Sequence, residues 1–218
     1  MKHLALMLVW LAAVGCGAEA KAPGPVVMND MDLENWQIAL VEMRIDKNEA
    51  FMDTTSTALR LEDLAGFEGL NYYDPDPTLR FRVQLQREAS PDTVFLQKRR
   101  GQQVPYVKEG KVAFTRAGRV HVLSVFGPAE PGAEKFLWLP FTDETTGRET
   151  YGGGRYLDLT LEGDGSSLVL DFNYAYNPLC DYNPEKYNCT LPPTENRLPF
   201  AVKAGEQLFR PQAAGAGQ

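Results

Sequence analysis

Two hydrophobic periods divide the chain near Pro77. Before it, Leu33, Trp36, Leu40, Met43 and Phe51 recur mostly at three- and four-residue steps between Asn29 and Met52, which predicts one long amphipathic helix. Asn29, Asp30 and Asp32 are available as its N-cap. A second, short helix is expected from Leu61 to Gly66, with Gly69 as its stop. Asp74-Pro75-Asp76-Pro77 then forces an extended or turning backbone, because a residue preceding proline is biased away from the helical region.

Beyond Pro77 the period falls to two. Leu79, Phe81, Val83 and Leu85 alternate with Arg80, Arg82, Gln84 and Gln86, the pattern of a strand with one face in the core and one in water. Similar runs occupy 93–98, 103–107, 111–116, 119–126, 136–141, 155–161, 167–172 and 200–203. Turn signals at Glu109-Gly110, Ala117-Gly118, Gly127-Pro128, Pro131-Gly132 and Asp164-Gly165 separate several of them. The expectation is a mainly β fold, one antiparallel barrel-like or sandwich-like domain over residues 29–211, with the N-terminal amphipathic helix covering an edge or an end. Residues 212–218 are expected to be a disordered tail.

The N-terminus follows neither period. A basic start, Met1-Lys2-His3, precedes an unbroken apolar run from Leu4 to Val14, too short for the roughly 20 apolar residues a membrane-spanning helix needs. Ala13-Val14-Gly15-Cys16 resembles the bacterial lipobox, with Ala13 where Leu is usual. Residues 1–15 are therefore expected to be a lipoprotein signal peptide and Cys16 the lipidated first residue. Residues 16–28, rich in Ala, Gly and Pro, are expected to form a flexible tether. The alternatives are a plain signal peptide cut near Ala18 or Ala20, or a short membrane anchor. The resemblance to known lipoproteins implies that Gly17, in place of Asp, permits passage to the outer membrane, facing the periplasm.

With 22 basic and 29 acidic residues the formal charge is −7, which argues against a nucleic-acid backbone as partner. Two histidines, one of them His3 in the leader, exclude a multi-histidine metal centre, and no cofactor motif is present. His121 sits in an alternating strand. Unusual residues concentrate in two places. Residues 143–158 (DETTGRETYGGGRYLD) place three glycines between Arg148 and Arg155, readable as an anion-binding loop or as a tight turn whose arginines pair with Asp143, Glu149 or Asp158. Residues 171–199 form a long excursion dense in Tyr, Asn and Pro, and such a loop is uncommon unless functional or stapled. Cys180 and Cys189, left over once Cys16 is lipidated, are read as a disulfide. The alternative is a metal site completed by His121, Asp181, Glu185 or Glu195.

The strings TTGRETYGGGRYLDL (145–159), LDFNYAYNPLCDYNP (170–184) and CTLPPTENRLP (189–199), with a looser likeness in FEGLNYYDPDP (67–77), resemble the bacterial domain-of-unknown-function 1684 family. Thr194 stands where similar proteins commonly carry a third proline. The resemblance implies no catalytic roles. Some similar proteins look cytoplasmic yet carry cysteines like Cys180 and Cys189, which keeps a redox or metal role open beside the staple.

Three functions fit these residues. The first is a lipid-anchored module binding a small polar or anionic ligand, with Tyr151, Tyr156, Tyr174, Tyr176, Arg148 and Arg155 lining a barrel mouth, and Asn173, Asn177, Asn196 and Arg197 as further polar groups. The second is a carboxylate enzyme using Asp158, Asp171 and Glu195, which requires Asp171 and Glu195 to share a cleft with an arginine. The third is a structural envelope protein in which those residues only specify the fold.

Overall fold

A computed structural model describes residues 22–130, 132, 136–163 and 165–210. The expected signal peptide, Cys16 and the tail at 212–218 lie outside them. Helix α1 (Asp30–Met52) starts where Asn29 accepts the Asp32 N–H at 2.8 Å, and it stops at Asp53, whose carboxylate takes up the Thr55 N–H. Its Trp36, Leu40 and Phe51 are buried. The second helix, α2, is a single turn, Leu61–Leu64. Among the described residues no helix is long and apolar enough to cross a membrane.

Nine strands follow: β1 (Arg80–Gln84), β2 (Gln86–Arg87), β3 (Thr93–Gln97), β4 (Gln103–Arg116), β5 (Arg119–Pro128), β6 (Leu137–Phe141), β7 (Arg155–Leu159), β8 (Leu161–Glu162) and β9 (Ser167–Asp171). They form two antiparallel sheets, one in the order β1-β9-β8 and one in the order β2-β4-β5-β6-β7 with β3 also on β4. Neither closes, so the arrangement is sandwich-like and not a barrel. The inner faces meet in one core: Phe81, Val83, Leu168 and Leu170 from the small sheet pack with Val112, Phe114, Leu123, Val125, Leu139 and Leu157 from the large one. Phe81 and Phe114 lie 4.5 Å apart, centroid to centroid.

Three strand assignments differ from the sequence reading. The run expected at 155–161 is two strands, β7 in the large sheet and β8 in the small one. The expected turn at Glu109-Gly110 is a bulge inside one long β4, where the register shifts between Lys108 and Gly110. Gly110 is required there because a Cβ would fall 2.3 Å from the Gln86 carbonyl oxygen. Residues 200–203 are not a strand. They form a connection in which Val202 alone is buried, its N–H donating to Asp143 and its carbonyl accepting from Arg155.

Residues 22–26, placed in the expected tether, lie against the body. The Ala22 and Pro23 carbonyls accept from Thr115 Oγ1 and N at 2.6 and 2.7 Å, and Val26 N–H donates to the Arg80 carbonyl at 2.7 Å.

Candidate functional site

Strand β6 reads as a continuous apolar run because both of its faces are covered, and its neighbour β7 is buried at every position but Asp158. Leu139 and Leu157 point into the core between the sheets. Trp138 and Tyr156 belong to a separate cluster with Leu96 and Phe126, against which Tyr106 and Tyr176 pack. There the rings form a ladder. Tyr106 stacks on Trp138 at 5.0 Å, Trp138 meets Tyr156 edge-on at 4.7 Å, and Tyr156 meets Tyr176 edge-on at 5.8 Å. Tyr176 is fixed by reciprocal backbone bonds with Tyr156 at 2.9 and 3.0 Å, so the 171–199 excursion joins β7 at this point.

The ladder lines a cleft of about 500 Å³. Its opposite wall comes from Pro178-Leu179 and Tyr187–Thr190, the two arms of the loop closed by the Cys180–Cys189 disulfide. The two arms are also laced by backbone donation to sulfur: Cys180 N–H reaches Cys189 Sγ at 3.0 Å and Cys189 N–H reaches Cys180 Sγ at 2.9 Å. Phe136 and Leu179 stand exposed at the mouth. Most ring hydroxyls are already engaged: Tyr156 donates to the Thr190 carbonyl, Tyr106 bonds Thr190 Oγ1 at 3.3 Å, and Tyr176 donates to Asp158 at 2.9 Å. Burial, and for Tyr176 the neighbouring Asp158 carboxylate, push both the Tyr156 and Tyr176 phenols far above their ordinary range. The cleft therefore offers neutral ring faces and hydroxyls, not phenolate bases.

Charge sits at the rim. Lys98 has no carboxylate partner among the described residues, whereas Lys47 of α1 bonds Glu206 and lies 5.1 Å from the Tyr176 ring. Glu206 is itself buried and also accepts from Tyr182 Oη and, at 2.8 Å, from Asn177 N–H. Asn177 donates through Nδ2 to Asp181 at 2.8 Å and to the Gln207 carbonyl at 2.7 Å. Burial raises the Asp181 carboxyl to about 6. Asp158 borders three hollows at once: the aromatic cleft, a smaller one of about 260 Å³ beyond Tyr176, and a broad depression next to Phe136.

Of the residues singled out from the sequence, Tyr156, Tyr176, Asn177 and Asp158 meet at this cleft. Tyr174 lines the smaller hollow. Tyr151 is half-buried beside Gly153. Arg155, expected to face a ligand, has no exposed side-chain surface: it pairs with Asp143 at 2.9 Å and donates to the carbonyls of Val202, Ala204 and Glu206. Arg148 turns back onto the Glu144 carbonyl. The three-glycine segment is a tight turn, and Gly154 is forced there because a Cβ would lie 2.6 Å from both the Phe141 carbonyl oxygen and Pro192.

Asn196 clamps three backbone groups, accepting from Ser124 N–H and donating to the Ser124 and Pro140 carbonyls at 2.7–2.8 Å. Arg197 is exposed and carries a backbone bridge to Thr142. Asn173 exchanges bonds with the Asp76 backbone. The carboxylates are likewise spent on structure: Asp171 holds Trp36, Asn173 and Arg80, while Glu195 binds Lys108 at 2.7 Å and Ser124 at 3.0 Å. The arginine beside Asp171 is Arg80, and Glu195 faces a lysine, so the shared carboxylate–arginine cleft is not formed. His121 packs between Phe114 and Phe200, and burial lowers its basicity. Among the described residues no cluster of three or more His, Cys, Asp or Glu could hold a metal.

Tyr106, Trp138, Lys47, Lys98 and Glu206 complete the site and were missed in the sequence. The only local signal was the unbroken apolar run 137–141, which carries more burial than a one-faced strand needs.

The architecture is that of a small two-sheet antiparallel β domain with an aromatic cleft walled by a disulfide-stapled excursion. The chain belongs to the DUF1684 family, described as proteins of unknown function, whose model matches residues 65–207 and so takes in most of the cleft but not Lys47. It is similar to the solution NMR structure of the uncharacterized protein from gene locus rrnAC0354 of Haloarcula marismortui. The two are 35% identical, the likeness covers 82% of this chain and 97% of that one, and the TM-score is 0.63. No curated protein matches the chain.

Proposed function

We propose that this is an exported lipoprotein of a bacterial envelope, acylated at Cys16 and facing the periplasm from the outer membrane, whose aromatic cleft holds a small ligand with a flat ring face and a polar or anionic group. The observation that carries the ligand reading is the Tyr106–Trp138–Tyr156–Tyr176 ladder under an open mouth rimmed by Lys98, which has no carboxylate partner among the described residues. Ring faces supply dispersion and stacking to a planar or ring-bearing molecule, and a lysine at the rim supplies a charge-assisted contact to an anionic substituent. Anchoring is supported by the leader and the Ala13-Val14-Gly15-Cys16 tetrapeptide.

Native mass spectrometry of the protein isolated from its host, set against the denatured mass, tests both halves. A ligand released on denaturation and an acylated N-terminal cysteine are the expected results. A bare polypeptide whose Trp138 emission, read in a Trp36→Phe background, does not respond to a panel of aromatic and sugar acids overturns the ligand reading. A mature terminus other than acylated Cys16 overturns the anchor.

A further inference from the structure

Helix α1 is apolar on two opposite sides. Trp36, Leu40 and Phe51 face the body, while Met31, Ile38, Val41, Ile45 and Met52 lie between 49% and 68% exposed. The outer five are spaced seven, three, four and seven residues apart, which at 3.6 residues per turn is one straight stripe along all 23 residues of the helix. Four of them, Met31, Ile38, Ile45 and Met52, keep strict heptad spacing; of the positions between, Val41 adds to the apolar row, Glu34 sets a carboxylate in it, and Asn48 turns to the body, where it accepts the Leu70 N–H. A surface helix ordinarily turns polar residues to water, so a second apolar row on the outer side is a surface in want of cover.

The charges flanking the stripe have one sign. Asp30, Asp32, Glu34, Glu42, Asp46 and Glu49 form no ion pair with a cation among the described residues. The helix's two basic residues are drawn inward, Arg44 onto the Tyr73 carbonyl and the Tyr72 ring, Lys47 onto Glu206. We infer that the outer face of α1 is a docking surface for a basic amphipathic helical segment of another protein, with apolar residues at heptad spacing and Lys or Arg on both flanks. Antiparallel pairing of a second copy, which would bring Met31 to Met52 and Ile38 to Ile45, would set Glu34 against Glu49 with no cation between them. An anionic membrane would meet Asp30, Glu34, Glu42, Asp46 and Glu49. Both are disfavoured by the same repulsion that favours a cationic partner.

The intact chain as isolated from its host is titrated with a labelled 23-residue helical peptide carrying Leu and Ile at the heptad seam and Lys on the flanks, and with its counterpart carrying Glu in place of Lys. The Lys peptide is expected to bind, and more weakly as salt rises. Ile38→Ser/Ile45→Ser is expected to weaken it about tenfold through lost apolar burial with the melting temperature unchanged, since both side chains are already half in water. Glu42→Lys/Glu49→Lys is expected to weaken it likewise and to admit the Glu peptide. Equal binding of both peptides, or of neither, overturns the inference. So does sedimentation as a dimer that Ile38→Ser/Ile45→Ser dissolves, or co-sedimentation with phosphatidylglycerol vesicles that the same pair abolishes.

Discussion

The Trp36 indole N–H donates to Asp171 at 2.8 Å, a buried bond between residues 135 positions apart that ties α1 to the end of β9. The same carboxylate accepts from both nitrogens of Asn173 and sits 3.2 Å from Arg80 Nε. Its removal leaves several buried donors without partners. Asp171→Ala is expected to lower unfolding free energy by about 3 kcal/mol, and Trp36→Phe by about 1–2 kcal/mol. Urea unfolding reads both. Cleft binding by the folded fraction is expected to stay as in the parent, the opposite of what a catalytic Asp171 would show.

Arg155 and Asp143 form an ion pair with both side chains fully buried. Breaking one partner strands the other in the core, so Arg155→Met is expected to cost about 3–5 kcal/mol. Chemical denaturation checks it, and a loss below about 1 kcal/mol would return Arg155 to the list of surface ligands.

Lys98 and Tyr156 separate affinity from stability. Lys98→Ala is expected to weaken an anionic cleft ligand about tenfold and to flatten its salt dependence, with melting unchanged. Tyr156→Phe removes the bond to the Thr190 carbonyl and is expected to cost about 1 kcal/mol of stability while leaving the ring face in place. Titration calorimetry with the ligand identified by mass spectrometry, paired with thermal melts, distinguishes the two.

Asp181 gives a pH signature. Its carboxyl rises from 3.8 to about 6 on folding, through burial, so between those values the folded chain binds more protons than the unfolded one. The contribution is fully present below about pH 4 and is lost as pH climbs through 6, up to about 2–3 kcal/mol. One Asp181 oxygen accepts from both Asn177 Nδ2 and Phe209 N–H, and an amide oxygen can do the same. Asp181→Asn is therefore expected to be more stable than the parent at pH 7 and equal to it at pH 4, read from urea midpoints. Glu195 runs the other way: the Lys108 hydrogen bond depresses it, so its contribution is present at neutral pH and lost as the solution is acidified.

The Cys180–Cys189 bridge closes a short loop, worth about 2–3 kcal/mol by chain entropy. Cys180→Ser/Cys189→Ser is expected to lose that much stability and to weaken cleft ligands, because Leu179 and Cys189 both lie in the cleft wall. A variant that loses stability while keeping full affinity would show that the wall is held by Arg99 and Leu191, whose backbone N–H groups donate to Cys189 and Gln97 respectively.

What was legible in the sequence depended on whether one side of an element faced water. Strand β1 alternates cleanly and was read correctly, as were α1 and β5. The inner stripe of α1 was visible; the outer one was not singled out, because apolar residues at helical spacing do not say which of two opposite rows meets the body. Gly110 reads as a turn because glycine marks turns and bulges alike, and only the Gln86 carbonyl beside it decides between them. Arg155 and Asn196 carry the chemistry of ligand-binding residues, yet their partners are carbonyls from segments distant in sequence, which no local pattern announces. The ladder was half visible: Tyr156 and Tyr176 stand out in motif-rich strings, whereas Tyr106 and Trp138 look like ordinary strand residues until the excursion folds over them.

The bonds from Ala22 and Pro23 to Thr115 decide how the body is carried. With acyl chains on Cys16, as proposed, only five residues separate that cysteine from Ala22 and the first clamped carbonyl, a reach of at most about 20 Å when fully drawn out. The domain is then mounted on its bilayer and not leashed to it. It searches a thin slab of space alongside molecules fixed to the same sheet of lipid, where encounters are frequent. Anything standing on an opposite membrane is out of range unless it crosses the gap itself.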